Sequence, residues 1–158
     1  MTPGLHSSEQ VETPTPRTEA DERLAPGCGR LRVLCVDDNA DAADSLGTLL
    51  TMMGYEVMVA HDAFTALAHV EEFRPQVCIL DITLQEIDWD GCRLARTLRE
   101  RPGGQDVMLM ALTALGDYNN IQRIADADFD LYFTKPIEMK DLETSLQDFA
   151  AKGRQKAV

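Results

Sequence analysis

Residues 77–91, VCILDITLQEIDWDG, decide how this chain is read. An apolar run ends abruptly in Asp81 and passes through a polar loop to Gly91, which is how a buried strand delivers a carboxylate to a sheet edge. To its N-terminal side, LRVLCV at 31–36 is a second apolar run, after which Asp37, Asp38 and Asn39 cap a helix predicted over 40–53. Leu46, Leu49, Leu50 and Met53 recur there at helical spacing, and Gly54 is placed to close the helix in the left-handed conformation. A short strand is expected at 56–60. Asp62 then opens a helix carrying Phe64, Leu67, Ala68 and Phe73, and Pro75 ends the turn.

To its C-terminal side, 91–101 reads as a helix with Leu94, Ala95 and Leu98 inward and Arg93, Arg96 and Arg99 as its wet side. Pro102, Gly103 and Gly104 break the chain before a strand at 107–112 that ends at Thr113. A helix follows at 118–127, a strand at 130–133, then Thr134, Lys135 and Pro136. A last helix over 138–152 turns Leu142, Leu146 and Phe149 inward. Strands and helices that alternate this strictly, with strands apolar throughout, call for a parallel sheet covered on both faces. Sites in such sheets lie beyond the carboxyl ends of the strands.

Composition limits what that domain does. With 158 residues and 44% hydrophobic content, one core is expected. A formal net charge of -12 and a pI near 4.5 repel nucleic acid and anionic membranes, so direct DNA binding is not expected. Cys28, Cys35, Cys78 and Cys92 form no CxxC pair and have no His at metal spacing, which speaks against a zinc site or a disulfide framework and fits a reducing cytosol. No basic segment precedes an apolar one and no apolar run approaches a membrane span, so a cytoplasmic protein is expected. Residues 1–30 are rich in Pro, Thr, Ser and Glu without period and read as a disordered tail, an inert extension in preference to a docking or phosphorylation segment at Ser7, Thr13 or Thr15. The domain is assigned to 31–152 and a short C-terminal tail to 153–158.

The strand ends together carry Asp37, Asp38, Asp81, Thr113 and Lys135. Singly each has a plain structural role: a helix cap, a strand-end residue, a surface charge. Jointly, carboxylates crowded at one edge repel unless a cation joins them, which points to a hard divalent ion with oxygen ligands, Mg²⁺ first. A lysine and a threonine hydroxyl supply the positive charge and the donor that a transferred phosphoryl group needs on its oxygens. Asp81 is then the nucleophile of an aspartyl phosphate.

On VDD at 36–38, LD at 80–81, LTA at 112–114 and KP at 135–136, in order and at compatible spacings, the chain resembles the receiver domain of two-component response regulators of the stand-alone, chemotaxis type. The resemblance implies a flavodoxin-like, doubly wound five-stranded sheet of order 2-1-3-4-5 with five helices. It also implies phosphorylation of Asp81 by a histidine kinase or histidine phosphotransfer protein, and Mg²⁺ held by Asp37, Asp38, Asp81 and the backbone carbonyl of Thr83. Phosphoryl contacts would come from Thr113 and Lys135, and a Thr113–Tyr132 switch would change which proteins the surface binds. The sequence departs from the family at Gln85, where a Pro is usual, in a loop about two residues longer than usual, and at Asp128, where a Gly is common. Trp89 is expected to pack on the domain, Phe133 to be core, and an apolar Leu115 to slow self-dephosphorylation. The chain ends soon after the last helix, so output is expected to pass through another protein. A phosphorelay intermediate or phosphate sink is a close variant, and a detached receiver portion of a hybrid kinase remains open. A Mg²⁺-dependent phosphohydrolase is disfavoured because Thr83 stands where such enzymes need a second carboxylate, and a flavin module because Asp37 and Asp38 would repel its phosphate.

Overall fold

A computed structural model describes residues 30–84, 89–114 and 118–153. The tails at 1–29 and 154–158, Gln85 and the rest of 85–88, and Leu115 lie outside the described residues. The elements alternate in chain order: β1 (Arg32–Val36), α1 (Ala40–Met52), β2 (Glu56–Ala60), α2 (Ala63–Phe73), β3 (Val77–Asp81), α3 (Gly91–Glu100), β4 (Met108–Thr113), α4 (Tyr118–Asp126), β5 (Leu131–Thr134) and α5 (Met139–Lys152). All four neighbouring pairs are parallel, and the sheet order is β2-β1-β3-β4-β5. The parallel sheet is the one expected from the strand pattern, and its doubly wound, flavodoxin-like order is the one the resemblance implied. No helix among the described residues is long and apolar enough to cross a membrane.

Side-chain alternation along the strands divides the core in two. Val33, Cys35, Ile79, Met110 and Leu112 face α1 and α5 and pack with Leu50, Leu142 and Leu146. Leu34, Val36, Cys78, Leu80, Leu109 and Ala111 face α2, α3 and α4 and pack with Ala66, Leu94, Leu98, Ile124 and Phe129. Each fully buried large side chain contributes about 1.5–3 kcal/mol relative to exposure. β3, at the centre, is buried along its whole length, which is why its sequence shows an unbroken apolar run.

Local signals act where the sequence places them. Asn39 caps α1 by accepting from the Ala42 N–H at 3.1 Å, and Asp62 caps α2 through the Thr65 N–H at 2.6 Å. Gly54 takes a φ of 101° just past α1, and Asp128 takes 65° between α4 and β5. Asp128 thus occupies the left-handed region that favours Gly, the residue common at this position in the family it resembles.

One expectation is corrected, and the inward face of α2 is settled. Arg99 is not on the wet side of α3: it is 6% exposed and its guanidinium donates to Asp130 Oδ2 at 2.7 Å, to the Gly104 carbonyl at 2.6 Å and to the Val107 carbonyl. Successive steps of three residues fall about 60° short of a full turn each, so Arg99 lies about 120° around the helix from Arg93 and reaches the buried face. In α2 the inward stripe is Ala63, Ala66, Leu67 and Val70, while Phe64 is 79% exposed and Ala68 is also exposed. Alanine brings the helix close to the sheet, a fit that hydrophobicity alone ranks below phenylalanine.

Candidate functional site

Strand register sets the geometry of the site. Val36 pairs with Leu80, Asp81 with Leu112 and Thr113 with Thr134, so the carboxyl ends of β1, β3, β4 and β5 finish nearly level. Asp37 and Asp38 follow β1 directly, and Lys135 follows β5, its N–H donating to the Thr113 carbonyl at 2.8 Å. The structure therefore brings Asp37, Asp38, Asp81, Thr113 and Lys135 to one edge. Asp37, Asp81 and Thr113 are buried, and Asp38 is exposed.

Lys135 Nζ joins the two buried carboxylates, 2.9 Å from Asp81 Oδ2 and 3.2 Å from Asp37 Oδ2. The other oxygen of each is also engaged. Asp81 Oδ1 accepts from the Thr83 N–H at 2.9 Å and its hydroxyl at 2.8 Å, and Asp37 Oδ1 accepts from the Asn39 N–H at 2.9 Å. These contacts pull the two carboxyls apart electrostatically. Burial pushes Asp81 up, but the Thr83 N–H, Lys135 and the Thr83 hydroxyl outweigh it and hold the group below its ordinary value. Burial raises Asp37, the neighbouring Asp81 charge adds to it, and the Asn39 N–H only partly offsets both. Burial pulls the Lys135 ammonium down, yet the two carboxylates outweigh it and raise it. Of the two, Asp81 is the carboxylate whose surroundings favour the charged form.

The acid cluster fits a cation. One oxygen each from Asp37, Asp38 and Asp81 lies within 4.8 Å of the others. Three carboxylates against one ammonium leave two negative charges to be balanced. Hard oxygen donors and that residual charge suit a divalent ion of the Mg²⁺ type. Among the described residues the buried hydroxyl of Thr113 has no hydrogen-bond partner.

The floor beneath Asp81 is set by Gly91. A Cβ there would lie 2.4 Å from the Asp81 carbonyl oxygen and 2.6 Å from Ile82 Cα, so only glycine lets α3 start against the end of β3. Asp90 caps α3 by accepting from the Arg93 N–H at 2.8 Å and also pairs with Arg123 of α4. Trp89 is partly buried against the core, with the Arg93 guanidinium 4.6 Å from its ring centre. Tyr132 on β5 is 39% exposed, whereas Phe133 packs against the α1 and α5 face. Sequence reading missed the Arg99–Asp130 pair and the Gly91 contact. An acidic residue at the start of a strand and the Asp-Gly pair were the available signals.

The response regulator receiver domain family matches residues 33–147. Among curated proteins, the chain is 33% identical over 112 residues to response regulator MprA of Mycobacterium avium, covering 71% of this chain and 47% of that protein. It spans about half the length of the curated relatives it matches. Among solved structures, a putative response regulator from Chloroflexus aurantiacus is 28% identical with a TM-score of 0.71, covering 78% of this chain and 99% of that one. The receiver domain of sensor histidine kinase PA1611 from Pseudomonas aeruginosa, solved with a magnesium ion coordinated in its active site cleft, is 25% identical with a TM-score of 0.70, covering 78% of this chain and 100% of that one. Placed beside the paired aspartates, the strand-end Asp81 and the bridging Lys135, these matches lead to one conclusion: the chain belongs to the response regulator receiver domain family.

Proposed function

We propose that Asp81 accepts a phosphoryl group from the phosphohistidine of a histidine kinase or histidine phosphotransfer protein. The observation that carries this reading is the Asp81 carboxylate 2.9 Å from Lys135 inside a cluster of three carboxylates. An Asp81 carboxylate oxygen attacks phosphorus, the bond from phosphorus to the donor imidazole nitrogen breaks, and the leaving imidazole takes up a proton. Lys135 neutralises the developing charge on the phosphoryl oxygens, and the unpartnered Thr113 hydroxyl donates to one of them. Asp37, Asp38, Asp81 and the Thr83 backbone carbonyl would hold Mg²⁺, which when bound screens the carboxylates from the incoming anion. Thr83 itself donates its hydroxyl to Asp81 and offers no acid/base carboxylate, which disfavours a phosphohydrolase acting on outside substrates.

Thr113 and Tyr132 form the switch in this reading. Drawing the Thr113 hydroxyl to the phosphoryl group lets the half-exposed Tyr132 turn inward, altering the surface of α4, β5 and α5 offered to a downstream protein. We read residues 31–152 as the receiver unit, flanked by tails at 1–30 and 153–158. Intact-mass measurement with a small phosphodonor and Mg²⁺ tests the acceptor: one phosphoryl group on the wild type and none on Asp81→Asn is expected. Labelling that survives in Asp81→Asn removes the assignment. Partners captured by the phosphorylated and unphosphorylated forms separate a switch, which changes partners, from a relay or sink, which does not.

A further inference from the structure

A second concave site lies at the opposite edge of the sheet, beside the amino ends of β3 and β4. Between the C-terminal ends of α2 and α3 is a cavity of about 610 Å³, walled by Val70, Pro75, Cys78, Leu98 and Val107. That volume is within the range of small-molecule pockets, and apolar walls with a few charged groups are their usual make-up. None of the residues proposed for phosphoryl chemistry lines it.

Its mouth is charged. Glu71, Arg74 and Arg101 line it, and Arg101 pairs with Glu71. Arg32 approaches from β1, its Nε donating to the Arg74 carbonyl at 2.8 Å. Arg74 is the C-cap of α2 at a φ of 52°, its N–H bonded to the Val70 carbonyl, so its backbone is pinned at both amide ends. Among the described residues its guanidinium has no hydrogen-bond or ion-pair partner. Of the lining groups Arg101 is paired with Glu71, so Arg74 is the guanidinium left to meet a ligand, with Arg32 held nearby through its bond to the Arg74 carbonyl. The chain as a whole carries a net charge of -12, and such a field disfavours polyanions.

We propose that this cavity binds a small amphipathic monoanion, a carboxylate with an aliphatic body, the chain lying against Val70, Leu98 and Val107 and the carboxylate meeting Arg74. The alternative role for Arg74, charge compensation of the α2 C-terminus alone, requires no ligand and predicts no charge selectivity.

Decanoate and decanol are the probes, read by methyl NMR on the full chain. Decanoate is expected to shift the methyl signals of Val70, Leu98 and Val107 saturably. Affinity is expected to fall about tenfold for decanol and for decanoate with Arg74→Gln, the loss of one charge-assisted contact. Val70→Phe narrows the apolar wall without changing the charged groups and should weaken decanoate binding. The proposal is overturned if the shifts do not saturate, if decanol binds as well as decanoate, or if decanoate binds Val70→Phe as it binds the wild type.

Discussion

Thr113 shows how a single side chain reveals a site. Among the described residues its buried hydroxyl has no partner, which is destabilising in the resting domain and is accounted for in the proposed reading by the phosphoryl oxygen it would meet. Thr113→Val keeps the shape and removes the orphan group. Stability measured by urea unfolding is expected to stay level or rise by up to about 1–3 kcal/mol. Phosphorylation of the same variant is expected to slow at least tenfold, about the loss of one charge-assisted hydrogen bond in the transition state. A purely structural threonine would show the reverse pattern. At the same scale, burial pushes the thiols of Cys35 and Cys78 up to about 12 from 9.0. Both stay protonated in the folded chain and lose their protons near pH 9 in the unfolded one, so they contribute a stability that is complete below pH 9 and is lost as pH rises toward 12. Peptide mapping after iodoacetamide at alkaline pH is expected to find Cys35 and Cys78 unmodified in native protein and modified in urea.

Helix α3 is the element that ties the site to the rest of the domain. Its first residue, Gly91, sits against the Asp81–Ile82 backbone, and its penultimate one, Arg99, braces the 104–107 turn and Asp130 at the entry to β5. Gly91→Ala places a methyl group inside contact distance of backbone that cannot move without shifting Asp81. We expect a loss of about 1–3 kcal/mol by overpacking, measured in urea, together with slower phosphorylation. Asp130 is fully buried and also accepts from the Leu109 N–H at 2.9 Å. Asp130→Ala leaves the Arg99 guanidinium with only the half-exposed Asp128 carboxylate, 3.4 Å away, and is expected to cost up to about 3–5 kcal/mol, while Asp81 is expected still to accept a phosphoryl group in the fraction that stays folded.

At the scale of the molecule, the two residual negative charges at the sheet edge oppose folding until a cation balances them. Mg²⁺ at about a hundred times its dissociation constant is expected to add about 2.7 kcal/mol of stability by mass action. Asp37→Asn should remove that gain, seen as a urea midpoint that no longer moves with Mg²⁺. How much of this was legible in sequence follows from the range of the forces involved. The apolar runs of the strands, the caps Asn39 and Asp62, the stop at Gly54 and the carboxylates just past β1 and β3 are local, so the chain alone determined the alternating α/β pattern and the residues of the candidate site. The resemblance carried by its motifs then implied the sheet order. Contacts between residues far apart in sequence were not local. The inward turn of Arg99 depended on Asp130 arriving from the far side of α4, the exposure of Phe64 on how closely α2 approaches the sheet, and the need for Gly91 on backbone ten residues earlier. Periodicity says which residues share a face but not what meets that face, and only the packed structure decides which charge is buried and which aromatic is left in water.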